Sequence, residues 1–588
     1  MDSGPPPPSV HKGACTERAI DGPQWHPNET LGLYAGMMGI KFTLAWALKS
    51  RLIAFTLLFV LYSPVQAADA PDAKNTEQHF AVLEYRVIGN TALPIRDIER
   101  LLYPLLGPDK TLKDVETART ALETLYHDKG YGTVFVDIPP QTVSDGLVRL
   151  RVTEGRVERE QIGGAHYFPE RDVIAALPAA KPGTVLQLSK LQEELQTVNS
   201  ETPDRAVVPI LKAGSEPGTV DLTLQVNDHL PLHGSLELNN QASLDTRSLR
   251  SIASVSYDDM FGRFDTFSLQ YQFTPQQFDQ VRVFAANYLF HPLASGLQPS
   301  LQYINSDSNV AAVGTLGVLG TGEITGLRLA YPFLTGSDSN QSVTLGVDYK
   351  HFRNLINQNA TTASDTPITY LNLSFAYAGF WRTDDVLTTS FNVTANAGPR
   401  GVVNNQNAFA NDRAEGRDNY FYVRGDLAFE VKLPKDFRLR LRAAGQAAAE
   451  PLITNENFSI AGADGVRGYL ESEVLGDQGI KETVQLFSPS WHLHERVLGD
   501  AFAFFDSGRT WVIDSLACEP SGSGLHLRSV GGGFDVLPGQ KLTGSLTYAR
   551  ALDSATNLLA SAASGCPASG PATLAGQSRV LFVLRGSF

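Results

Sequence analysis

Residues 266–273 read Thr-Phe-Ser-Leu-Gln-Tyr-Gln-Phe. Phe267, Leu269, Tyr271 and Phe273 alternate with Thr266, Ser268, Gln270 and Gln272. A period of two puts each set on its own face of a strand. One face suits lipid and the other water, which is the pattern of a membrane-spanning β-strand. The same alternation returns in Val343, Leu345, Val347 and Tyr349, and in Leu542, Gly544, Leu546 and Tyr548. The terminal run carries Val580, Phe582, Leu584 and Phe588 on one face. A soluble β-sandwich also alternates, but rarely over such a length with so many aromatic residues on one side. In lipid only a closed sheet leaves no unpaired backbone edge. Residues 229–588 are therefore predicted to form an all-β transmembrane barrel.

The chain has 588 residues, a net charge of −14 and 19% charged residues. An acidic chain without basic runs is a poor partner for nucleic acid. Outside the leader there is no apolar run of about 18 residues, which argues against a helical membrane bundle. Three cysteines occur, Cys15, Cys518 and Cys566, none at zinc-ligand spacing. Cys518 and Cys566 fall in two Gly/Ser/Pro-rich segments, and a disulfide between them is left open.

Residues 1–67 read as a leader ending in a signal peptide. Lys41, Lys49 and Arg51 precede the apolar run Leu52–Tyr62, and Val65-Gln66-Ala67 suits cleavage. The alternative, a membrane helix, is too short unless residues 42–48 join it past Lys49 and Arg51. Met37 and Met38 are alternative starts. Residues 68–79 are a short linker.

Two similar α+β units follow, at 80–155 and 156–228. The first opens with a strand over Phe80–Ile88. A helix then carries Leu112, Val115, Ala118, Leu122 and Leu125 on one face and ends at Gly130-Tyr131-Gly132. Strands are predicted at 133–138 and 147–153. In the second unit Glu158, Ile162 and Gly163 echo Glu84, Ile88 and Gly89. Its helix shows Leu188, Leu191, Leu195 and Val198, and its last strand alternates through Val220, Leu222, Leu224 and Val226. Each unit reads strand–helix–helix–strand–strand.

That order, with Ile138-Pro139-Pro140-Gln141 and Thr153-Glu154-Gly155, resembles the paired POTRA domains of two-partner secretion transporters of the ShlB/FhaC/HecB type. The likeness continues downstream. Asp259-Met260-Phe261-Gly262-Arg263-Phe264-Asp265 is similar to an early barrel turn of that family, and Ala330-Tyr331-Pro332-Phe333 to another barrel segment. Phe458 to Gln478, around Val466-Arg467-Gly468-Tyr469, resembles its sixth extracellular loop. Phe504-x-Asp506-x-Gly508 resembles the wall motif that faces this loop. Phe582, Leu584 and Phe588 resemble the C-terminal signal read by the barrel assembly machinery.

The resemblance implies sixteen strands, about 22 residues for each strand and its connection. It implies an outer-membrane pore with its POTRA domains in the periplasm. Its expected partners are a large secreted client, membrane lipid, and the assembly machinery with periplasmic chaperones during biogenesis. Many members begin with a helix that plugs the pore, but Ala68 to His79 is too short for that helix and its linker, which leaves loop six as the main internal obstruction.

The implied lock joins Arg467, whose planar fork suits a carboxylate, to Asp506. Gly468 permits close backbone approach, and Tyr469 packs its ring while reaching a polar partner. Phe504 and Gly508 shape the dock. No catalytic set, cofactor site or metal site emerges. Gly522-Ser523-Gly524 is only a fragment of a nucleophile motif, and His492 and His494 lack carboxylate or thiolate companions. The rival readings are a barrel assembly factor of the same superfamily, a passive porin and an outer-membrane enzyme.

Overall fold

A computed structural model describes residues 78–588 apart from 144, 245, 309, 314–315, 337, 359–361, 385, 495–496, 516–523, 539–540 and 556–571. The leader and signal-peptide reading, the linker up to residue 77, the question of a plug, Cys15, Cys518 and Cys566 lie outside the described residues.

The first unit comprises β1 (Phe80–Val82), β2 (Glu84–Ile88), α1 (Ile95–Leu102), β3 (Gly107–Lys110), α2 (Leu112–Asp128), β4 (Phe135–Asp137) and β5 (Leu147–Thr153). β5 lies between β2, which it pairs in parallel, and β4, which it pairs antiparallel. β1 and β3 form a separate ladder. A capping box between Thr111 and Asp114 starts α2 by satisfying donors at its N-terminus. Its buried face is Val115, Ala118, Leu122 and Tyr126. The expected stripe shifts at both ends: Leu112 is 61% exposed, and Tyr126 takes the deep position in place of Leu125. Its hydroxyl donates to Asn90 Oδ1 at 2.5 Å, so a polar tip is accommodated inside.

The second unit comprises β6 (Arg156–Gly163), α3 (Glu170–Ala176), α4 (Leu188–Ser200), β7 (Arg205–Ala213) and β8 (Thr219–Asp228). β8 is central, parallel to β6 and antiparallel to β7. The two units meet at Glu154, whose carboxylate accepts from Thr91 N at 2.6 Å, Ala92 N at 2.7 Å and Arg156 at 2.9 Å. In the Thr153-Glu154-Gly155 triplet it is thus the glutamate that ties one unit to the next.

Glu158 on β6 holds the β7–β8 turn. It accepts from Ser215 N at 2.7 Å and Thr219 Oγ1 at 2.6 Å, and also from the Ser215 hydroxyl. The side-chain hydrogen bonds from Ser215 and Thr219, with the Ser215 amide, draw its pKa down to about 2. A depressed carboxylate contributes stability above its ordinary value of 4.5 and loses it as pH falls toward 2. The protection factors of amides 213–219 in the full chain, exchange rates taken relative to the unfolded chain at the same pH, are expected to be constant from neutrality to about pH 5 and to fall below that. Glu158→Gln is expected to abolish the transition.

The barrel begins with β9 (Leu232–Asn239), β10 (Arg250–Met260), β11 (Asp265–Phe273), β12 (Arg282–Leu289) and β13 (Gln298–Ser306). After a small hairpin, β14 (Val310–Val313) and β15 (Leu316–Leu319), it continues with β16 (Thr321–Thr335), β17 (Ser339–Gln358), β18 (Thr362–Thr383) and β19 (Leu387–Ala397). A loop helix, α5 (Gln406–Asp412), precedes β20 (Phe421–Lys432) and β21 (Arg438–Ala448). The next long loop holds the short pair β22 (Phe458–Ser459) and β23 (Leu475–Gly476). Then come β24 (Gln478–Phe487), β25 (Trp491–His494), β26 (Val497–Trp511), β27 (Leu525–Pro538), β28 (Leu542–Ala551) and β29 (Ser578–Ser587). β24 and β25 are consecutive pieces of one strand, both paired with β26, so the ring has sixteen antiparallel strands and closes where β29 meets β9.

Alternation sorts the faces as the period of two requires. Leu345, Val347 and Tyr349 on β17 are 58%, 40% and 48% exposed, while Asp348 and Lys350 are buried inside. The closing seam pairs Val583 to Ser587 with Asn239 to Ser235. It is completed by backbone bonds between Phe588 and Gly234 at 3.0 and 3.3 Å. A Cβ on Gly234 would lie 2.3 Å from the Phe588 ring. Gly234→Val is therefore expected to displace the C-terminal residue and weaken closure, seen as a smaller folded fraction in unheated electrophoresis.

The segment Asp259 to Asp265 is the β10–β11 turn, with Phe261, Gly262 and Phe264 at positive φ. Asp259 accepts from Phe264 N at 2.9 Å, and Asp265 accepts from Tyr288 OH at 2.7 Å. This turn joins the barrel to the second unit. The buried Arg205 guanidinium lies 5.4 Å from the Phe168 ring and 5.1 Å from the Phe264 ring. Beside it His233 Nε2 is 3.0 Å from Asp204 and 3.3 Å from Asp258, so two carboxylates share one imidazole nitrogen.

Candidate functional site

The β21–β24 connection, residues 449–477, is the sixth connection on the face away from the N-terminal units, and it folds into the lumen. β22 and β23 pair to make its neck. The tip doubles back, with Val466 N bonded to Ile460 O at 2.8 Å. Gly462 and Gly468 have φ of +113° and +96°, conformations that side chains resist. Ile460 and Val466 are fully buried and pack with Phe458, Tyr469, Leu527 and Ala551.

The turn aims Arg467 at β26. Its Nε and one terminal nitrogen each donate to Asp506 at 2.8 Å, one to each carboxylate oxygen. The Arg467 backbone N–H adds a bond at 3.1 Å, and Ser529 donates to the same carboxylate at 3.3 Å. Asp506 has no solvent exposure. The second terminal nitrogen of Arg467 donates to Gln485 Oε1 at 3.1 Å. The guanidinium carbon lies 3.4 Å from the centre of the Phe504 ring, so the fork is stacked as well as paired.

Gly508 leaves room for the loop: a Cβ there would lie 2.9 Å from Val466 Cγ2 and 3.1 Å from Ile460 Cβ. Tyr469 is 2% exposed. Its hydroxyl lies 2.8 Å from Asp553 O and 3.0 Å from Arg528 O, and accepts from Asp553 N at 3.1 Å. It thereby fixes the start of the eighth loop.

The structure thus brings Val466, Arg467, Gly468 and Tyr469 against Phe504, Asp506 and Gly508. Phe582 and Leu584 are elsewhere, on the closing strand β29, and Phe588 follows its last residue. Sequence reasoning missed Gln485, Ser529 and Gly531. A Cβ on Gly531 would lie 2.5 Å from the Phe504 ring, so that glycine sets the ring's place. The run Gly531-Gly532-Gly533 inside an alternating strand was its available signal. Loop six also shares the lumen with the fifth loop. Phe409 of α5 packs with Tyr370, Tyr420 and Ile453 in an apolar cluster lined by strands β12 to β21. Among the described residues, Asp204, His233 and Asp258 at the joint are the one group whose spacing suits a metal ion.

Comparison with known proteins agrees with this architecture. The family described as haemolysin secretion/activation protein ShlB/FhaC/HecB matches residues 218–517. The ShlB-type POTRA domain matches residues 80–155. The outer membrane transporter CdiB of Dickeya dadantii (strain 3937) is 27% identical over 183 residues, covering 31% of this chain and 32% of that protein. The heme/hemopexin transporter protein HuxB of Haemophilus influenzae (strain 86-028NP) is 20% identical over 516 residues, covering 83% of this chain and 87% of that protein. Among solved structures, CdiB from Escherichia coli superposes with a TM-score of 0.51 at 17% identity, covering 90% of this chain and 94% of that one. BamA from Haemophilus ducreyi lacking POTRA domains 1–3 gives 0.53 at 12% identity, covering 87% and 100%. At these identities the structural likeness shows the fold.

Proposed function

The chain belongs to the haemolysin secretion/activation family ShlB/FhaC/HecB, and from this we propose that it secretes one large partner exoprotein through its barrel. It is an outer-membrane protein with its POTRA domains in the periplasm. The client is adhesin-like or haemolysin-like. The observation that carries the reading is a closed lipid-facing barrel behind two α+β units, the first matching the ShlB-type POTRA domain, with a lumenal loop whose tip is held on the wall by the buried Arg467–Asp506 pair.

In this reading the POTRA pair receives the client. β4 is an edge of the first sheet, and a groove between it and α2 is lined by Leu101, Lys113, Thr117, Leu125, Val136 and Ile138. An extended segment added there would gain main-chain hydrogen bonds. Loop six then gates the path, with Arg467 and Asp506 as its lock.

The BamA-like fold supports a second reading, a barrel assembly factor. Deleting the gene separates them. Loss of one exported protein, with other outer-membrane barrels at normal level, supports secretion. A broad loss of barrels supports assembly. Co-purification with the first few hundred residues of a large exported repeat protein encoded nearby would identify the client.

A further inference from the structure

We propose that loop six carries a second latch, centred on Glu456, that fastens it to wall strands other than the one that holds Arg467. The proposal rests on the reading of loop six as the movable closure.

Glu456 ends a single helical turn, Thr454–Glu456, in the ascending limb of the loop. It is 3% exposed. One carboxylate oxygen lies 2.6 Å from Lys350 Nζ and also accepts from the Tyr370 hydroxyl. The other accepts from Tyr422 OH at 2.6 Å. The backbone carbonyl of Glu456 accepts from Gln446 Nε2 at 3.0 Å. Lys350, Tyr370 and Tyr422 are themselves buried.

The three side-chain donors sit on three strands, β17, β18 and β20. Arg467 is held on β26, which round the ring of sixteen is six places from β17, five from β18 and three from β20. One loop is thus pinned to two separate stretches of the wall, each time by a buried ion pair with hydrogen-bonding companions. An anchor needed only to end β21 would find partners on the neighbouring strands. This carboxylate has one such partner, Tyr422 on β20, but its other oxygen reaches to Lys350 on β17, four strands from β21.

The surroundings make the latch a device shared with loop five. Tyr370, which donates to Glu456, also packs edge-on against Phe409 of α5, with ring centres 5.5 Å apart. Asn404, just before α5, accepts from Leu371 N at 2.8 Å, beside Tyr370 on β18. Clearing the lumen on this side therefore means withdrawing Glu456 from beneath loop five. A buried charge resists leaving its partner, and the partner resists being left. Glu456 is accordingly a positioning residue for the closed loop, distinct from the Arg467 lock.

The test uses the full-length protein in planar bilayers, with Arg467→Ala as the reference. Glu456→Gln keeps the shape and strands Lys350, and is expected to raise open-state occupancy about tenfold or more. Glu456→Gln combined with Lys350→Met removes both charges and is expected to restore closure. Folded barrel, read from heat-modifiable mobility, should be equal in all variants. If Glu456→Gln does not reach the membrane, Tyr422→Phe and Tyr370→Phe take its place, each expected to raise openings by a smaller factor. If Arg467→Ala opens the pore while Glu456→Gln and both tyrosine variants leave it closed, the second latch is refuted and the first stands. If none of them, Arg467→Ala included, changes conductance, the reading of loop six as the closure fails instead.

Discussion

Asp506→Ala is expected to cut client export to a small fraction while folded barrel accumulates normally. Removing Asp506 leaves the Arg467 guanidinium in a buried dock with Gln485 Oε1 as its remaining side-chain acceptor. Breaking a buried, hydrogen-bonded pair from one side typically costs about 3–5 kcal/mol, mostly from the stranded charge. A shift of that size changes the ratio of docked to undocked loop by about a hundredfold to several thousandfold. Arg467→Ala should do the same from the other side, since Asp506 would then be a fully buried carboxylate. Arg467→Met with Asp506→Leu removes both charges and should dock better than either single change. The measurement is exported client normalised to heat-modifiable barrel. Full export by both single alanine variants at equal barrel levels would discard the lock.

Gly508→Leu is expected to be as damaging as losing the charge, for a steric reason alone. Its Cβ would enter space already filled by Val466 Cγ2 at 2.9 Å and Ile460 Cβ at 3.1 Å, both in a fully buried tip. Gly508→Ala needs its neighbours to move by only a few tenths of an ångström and should weaken docking modestly. A leucine adds a branched side chain to a closed cluster, where overpacking by even single methylenes costs about 1–3 kcal/mol. The ion pair is left chemically intact, so equal loss of export in Gly508→Leu and Asp506→Ala would show that seating of the tip, rather than charge, is what matters. Unimpaired export by Gly508→Leu would mean that the loop tip need not sit against β26.

The architecture was legible because its signals are local. A strand facing lipid on one side and water on the other must alternate, and Thr266 to Phe273 does. The helix–strand order of the second unit was legible for the same reason; in the first the expected strand Phe80–Ile88 splits into β1 and β2, a further short strand, β3, falls between the helices, and the sequence put Leu125 where the structure buries Tyr126. A phenol whose hydroxyl meets Asn90 does not look apolar in a hydropathy pattern.

The pairing of Arg467 with Asp506 was visible through likeness to a family. Nothing in either segment names the other across 39 residues. Gln485, Ser529 and the Glu456 set lay beyond reach, because lumenal positions are polar by default and one polar residue looks like the next.

The chain alone therefore determined that it closes into a barrel in lipid behind two α+β units, since backbone satisfaction and alternation act residue by residue. Which lumenal carboxylate meets which cation was decided by the fold. Strand register and the path of loop six bring together groups as far apart in sequence as Lys350 and Glu456, separated by 106 residues. Burying a charge is tolerable only where such a partner has already been set in place.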